Sequence, residues 1–181
     1  MNAFETLGLA PRLAITDEAL RDAFREAGKL AHPDAGGAMD SFARLREAFD
    51  TVASPSRRLR HWLELRGITP ESRGVVAAAV MDLFAEIGVV TQRAETLIRR
   101  RDEAKSALGR AILEAETQAC REAVERAIAI VEAAIGRETS RFPDYERDPQ
   151  DEIETAVAAV RNLAFLEKWR HTLRDLFSRL V

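Results

Sequence analysis

Residues 16–34, Thr16-Asp17-Glu18-Ala19-Leu20-Arg21-Asp22-Ala23-Phe24-Arg25-Glu26-Ala27-Gly28-Lys29-Leu30-Ala31-His32-Pro33-Asp34, spell out a helix with both of its ends. Thr16 is placed to N-cap it, and Asp17 and Glu18 fall in the first turn, where the helix dipole favours carboxylates. Pro33 stops it. In between, Leu20, Ala23, Phe24, Ala27 and Ala31 recur at three- and four-residue steps and make one apolar face. Arg21, Arg25 and Lys29 recur every four residues, so they stack as a cationic stripe. A rotation of about 100° per residue carries that stripe away from the apolar face and out towards solvent.

The flanking sequence continues in the same idiom. Phe4 to Leu9 reads as a brief helix ended by Pro11. A third helix is expected from about Ser41, with Phe42, Leu45, Phe49 and Val52 on its inner face. Ser54-Pro55 pairs an N-cap with a proline at the first helical position and starts a fourth helix to Arg66. Leu59, Trp62 and Leu63 are the side chains that fold this helix back onto the others. Turn-forming residues then cluster at Gly67–Gly74, the best domain boundary, and again at Phe142–Pro149.

Beyond the boundary the apolar rhythm lengthens into heptads. Val76, Val80, Leu83, Ile87, Val90, Ala94 and Leu97 alternate four- and three-residue steps, as do Leu113, Thr117, Cys120, Val124, Ala127, Val131 and Ala134. Ala156, Val160, Leu163, Leu166, Leu173, Leu176 and Leu180 form a third seam. A turn between the first two helices is expected near Lys105–Gly109, with one unbroken helix as the alternative. No proline occurs between Glu71 and Phe142, and that stretch holds no alternating β-branched run. The expected fold is therefore all-α: a short-helix domain over residues 1–66, a linker over 67–74 and a long three-helix bundle over 75–181.

Composition excludes several classes of function. A net charge of −3 and a pI near 5.7 provide no basic field for nucleic acid. The run Arg99-Arg100-Arg101 is followed at once by Asp102 and Glu103 and reads as a solvated helix face. The single cysteine, Cys120, excludes an internal disulfide and a thiolate zinc cluster, and its place in a heptad seam marks it as a small buried apolar residue. His61 and His171 have no nucleophile or ligand set around them. With no apolar run long enough to span a bilayer and no leader pattern, a cytoplasmic protein without membrane contact, metal or cofactor is expected.

The informative constellation is His32-Pro33-Asp34, set at the end of an amphipathic helix that carries an outward basic stripe and followed by Gly36-Gly37 and another helix. Phe4-Glu5-Thr6-Leu7-Gly8-Leu9, Ala19 to Arg25, His32-Pro33-Asp34, and Phe42 with Leu45 and Ala48-Phe49 together closely resemble a J-domain. The resemblance implies a helical hairpin whose His32, Pro33, Asp34, Arg21, Arg25 and Lys29 contact the ATPase and linker region of a DnaK-type chaperone. Two positions depart from the family pattern: Ala31 replaces the usual tyrosine and Ala35 the usual lysine.

The resemblance narrows at Arg57 to Gly67 and at Val160 to Lys168, which are similar to the HscB co-chaperones. That family delivers the iron–sulfur scaffold IscU to the chaperone HscA. By position, its scaffold-binding surface falls on Val80, Met81, Phe84 and Phe165, while its acidic positions fall on Ala85 and Gly88. Met81 and Phe84 lie beside the first seam, and Phe165 and Trp169, one turn apart, lie off the third, as surplus apolar groups at a partner site would. The resemblance thus implies a non-enzymatic co-chaperone acting on a DnaK/HscA-type ATPase with an IscU-like client. The alternatives are a J-domain protein with another client, or an oligomerising structural protein with an inactive J-like head.

Overall fold

The computed structural model describes residues 2–31, 39–71 and 73–181. It is all-α, with no strand among the described residues. In contacts the chain forms two compact units, one comprising Met1–Gly74 with Glu138–Ala164 and the other Val75–Arg137 with Phe165–Val181.

The first unit begins with α1 (Ala3–Thr6), closed by a capping box in which the Asn2 side chain and the Glu5 carboxylate satisfy each other's backbone N–H groups. Helix α2 (Asp17–Ala31) starts where the sequence places it, with the Ala19 N–H donating to Thr16 Oγ1 at 3.2 Å. Helix α3 (Met39–Ala53) packs against both α1 and α2, and α4 (Pro55–Glu64) packs against α3. Ser54 caps α4 by accepting from the Arg57 N–H. As expected, Leu59, Trp62 and Leu63 are buried.

Helix α4 ends in a Schellman motif. The Ile68 N–H reaches the Leu63 carbonyl (3.1 Å) and the Gly67 N–H reaches that of Glu64 (3.0 Å), with Gly67 at φ +77°. That left-handed conformation is why a glycine stands there. Arg60 Nη1 then donates to the Pro70 carbonyl at 2.8 Å, fastening the following segment to α4.

Phe142–Pro149, expected as a turn, instead contains the short helix α7 (Phe142–Arg147). Pro143 occupies its first turn, where a missing N–H costs nothing, and Phe142 and Tyr145, three residues apart, are buried. Glu146 accepts a hydrogen bond from the Leu13 N–H, joining α7 to the α1–α2 connection within this unit.

The second unit is built from α5 (Ala78–Glu103), most of α6 (Ala107–Thr139) and the C-terminal half of α8 (Ile153–Leu180). The chain breaks between α5 and α6 at residues 104–106, so two helices form rather than one. Every member of the second and third heptad seams is buried, and the first is buried at Val80, Ile87, Ala94 and Leu97. Ion pairs at the rim fix the neighbours: Arg100 to Glu116 at 2.8 Å, and Arg174 to Glu132 at 2.7 Å.

A candidate chaperone face and a candidate client patch

Two surfaces hold the residues that the sequence singles out. The first lies on α2. Arg21, Arg25 and Lys29 point to solvent, with side chains 70%, 72% and 69% exposed. They are not bare charges. Arg21 lies 3.8 Å from Asp17 and Lys29 is 2.6 Å from Glu26, while Arg25 pairs with Asp22. With Glu18, α2 carries four carboxylates against three cations, so the stripe is a ladder of solvated ion pairs. Each such pair contributes only about 0–1 kcal/mol, so a partner's carboxylate can replace the internal one at little cost.

Beside the ladder, Arg21 and Arg25 flank a groove of about 320 Å³ that includes Phe24 and Phe49. The two rings are 4.7 Å apart, with Phe42 6.4 Å from Phe24. A surface of this kind offers an apolar strip edged by exchangeable charge. His32, Pro33 and Asp34 lie outside the described residues, between the end of α2 at Ala31 and the start of α3 at Met39.

The second surface lies in the other unit. Met81, Phe84 and Phe165 are 49%, 57% and 44% exposed. Trp169 joins the two phenylalanines, its ring 6.0 Å from Phe84 and 6.3 Å from Phe165. Val80, assigned to the same patch by position, is buried at 4% exposure and supports it from within the core. Two exposed phenylalanines bridged by a half-buried tryptophan, with an exposed methionine on the same helix as Phe84, suit a partner. Periodicity had already put Phe165 and Trp169 off their seam. The bridge from Trp169 to Phe84 required the packing of α8 on α5.

The remaining candidates are structural. His61 Nε2 accepts the Ala3 N–H at 3.2 Å and its ring stacks on Phe4 at 5.6 Å, so it ties the start of α1 to α4. Cys120 is fully buried, and burial pushes its thiol up from the ordinary cysteine range, which keeps it protonated and unreactive. Among the described residues no group of three His, Cys, Asp or Glu side chains could hold a metal ion, and no helix is long and apolar enough to cross a membrane.

Known proteins share this architecture. No model of a known protein family matches the chain. It is 41% identical over 58 residues to the tetratricopeptide repeat and J domain-containing co-chaperone DNJ1 of Cryptococcus neoformans var. grubii. That match takes in 32% of this chain and 11% of the relative, so the chain spans about a tenth of that protein's length. Among solved structures, the chaperone HscB from Vibrio cholerae superposes over 100% of both chains with a TM-score of 0.60 at 23% identity. The human co-chaperone HscB covers 96% of this chain and 81% of its own with a TM-score of 0.60 at 16% identity. From end to end, this chain has the fold of the HscB co-chaperones.

Proposed function

We propose that the chain is a J-domain co-chaperone. Residues 1–66 stimulate ATP hydrolysis by a DnaK/HscA-type chaperone in the cytoplasm, and residues 75–181, reached through 67–74, present a client, an IscU-like iron–sulfur scaffold. The observation that carries this reading is the pairing of an HscB-like fold over the whole chain with an exposed aromatic patch where that family's client positions fall. The chemistry belongs to the chaperone. The chain acts by binding the hydrolysing, client-trapping state more tightly than the other, and only that difference in affinity shifts the equilibrium.

Single-turnover hydrolysis by a purified DnaK-type chaperone, with the chain and a recombinant IscU-type scaffold added singly and together, tests the proposal. Each should accelerate hydrolysis, and both together should do so by more than the sum. No acceleration at saturating concentrations of the chain would refute the reading.

The ion-pair ladder adds a prediction. Arg21→Glu with Arg25→Glu should raise the concentration for half-maximal stimulation by about fivefold to tenfold, and stimulation by the parent chain should weaken as salt rises. A titration unmoved by either change would make the ladder a bystander.

The client patch adds another. Because Phe84 and Phe165 are about half exposed, truncating either to Ala should cost less than about 1.5 kcal/mol of stability, against roughly 3–5 kcal/mol for a buried phenylalanine. Scaffold affinity should fall by about tenfold or more for each. Denaturant melts and a binding titration of the same two variants check both halves.

A further inference from the structure

We propose that the groove between α5 and α8, next to the aromatic patch, receives one lysine or arginine side chain of the client. Its stem would lie against Phe84 and Trp169, with its cationic head at Glu95. The inference rests on the client-binding reading above and adds to it the chemistry of the residue recognised. The groove encloses about 230 Å³, below the range of small-molecule sites, and suits a single long side chain. Gly88 lines it. A Cβ built at Gly88 meets nothing within 4 Å, and its backbone is ordinary helix, so neither a close approach nor a left-handed conformation inside the chain requires glycine there. A mid-helix glycine weakens a helix relative to alanine, and here it leaves the cleft open.

The lining specifies a cation. Glu95 is the one ionisable side chain in the groove, and it makes no ion pair among the described residues. The faces of Phe84 and Trp169 attract a cation through their quadrupoles. Thr91, Gln92 and Thr172 add oxygen acceptors for the remaining N–H groups of an ammonium or guanidinium. Glu95 is exposed, so an aliphatic side chain of equal length would only forgo the attraction of its carboxylate, whereas a carboxylate would be repelled by it. Lysine and arginine match both the apolar walls and the acidic end.

The test uses the full chain and two capped tripeptides, acetyl-leucyl-lysyl-leucyl amide and its norleucyl counterpart, which keeps the stem and lacks the ammonium. Binding is read from the indole N–H resonance of Trp169, separated from that of Trp62 by Trp169→Phe. The lysyl peptide should bind about fivefold more tightly than the norleucyl one. Glu95→Gln should erase that difference. Gly88→Leu, which favours the helix, should abolish binding of both while preserving the melting temperature. Equal affinities for the two peptides, or a preference that survives Glu95→Gln, would overturn the proposal. The wider reading fails separately: if Phe84→Ala leaves scaffold affinity unchanged, the client patch is wrong even where the groove prefers lysine.

Discussion

His32→Gln will reduce stimulation of a DnaK-type ATPase to background while leaving the fold intact. Glutamine keeps a donor and an acceptor at similar reach but removes the imidazole ring and its titratable charge. The substitution falls between the end of α2 and the start of α3. If His32 serves the chaperone contact and not the fold, its replacement should cost at most about 0.5 kcal/mol, which in a chain of this size moves the melting temperature by about 1–2 °C. Loss of activity at constant stability is therefore the signature of a contact made to the chaperone. The measurement is single-turnover ATP hydrolysis alongside a thermal melt. Stimulation equal to that of the parent chain would remove the J-domain mechanism, however well the fold matches.

Most of the architecture is legible in the sequence because periodicity and caps report on local geometry. Thr16, Ser54-Pro55 and the heptad seams mark helix starts and buried faces through rules acting within a few residues, and α2, α4 and the seam residues follow them. Helix α7 is hidden because Phe142-Pro143-Asp144 carries turn chemistry, while the burial of Phe142 and Tyr145 depends on partners distant in sequence. The cationic stripe on α2 is visible as a spacing. Its neutralisation by Asp17, Asp22 and Glu26 becomes visible only when the side chains are traced around the helix. The proposed client patch divides the same way. Met81, Phe84 and Phe165 stand out as apolar residues off their seams, but the bridging Trp169 and the acidic Glu95 groove arise from the pairing of α5 with α8. Arg58 is the plainest miss. In Arg57-Arg58-Leu59-Arg60 it looks like one more surface charge, although it stands one turn before the buried Trp62.

Arg58→Ala is expected to destabilise the chain by about 3–5 kcal/mol, the largest stability loss of any change considered. Arg58 is 6% exposed. Its Nε donates to the Val52 carbonyl at 2.7 Å, and Nη1 donates to the carbonyls of Leu13 at 2.7 Å and Ile15 at 3.2 Å. Val52 sits in the last turn of α3, where carbonyls lack helical partners and the dipole favours a cation. Leu13 and Ile15 belong to the connection between α1 and α2, which has few backbone bonds of its own. One side chain thus satisfies acceptors on two segments and holds the start of α2 against α3 and α4. Removing it strands buried carbonyls, each costing about 1–3 kcal/mol when unsatisfied, although water entering the vacated space recovers part of that. Lysine keeps the charge but replaces a planar fork by a single ammonium that cannot span all three acceptors, so Arg58→Lys should cost about half as much. Urea melts of the parent and both variants measure this directly. A loss below about 1 kcal/mol for the alanine variant would show that the three hydrogen bonds contribute little beyond the cost of desolvating the charge. If the cost is as large as expected, Arg58→Ala will also lower chaperone stimulation, but only in proportion to the fraction unfolded. His32→Gln, by contrast, will lower it in a fully folded chain.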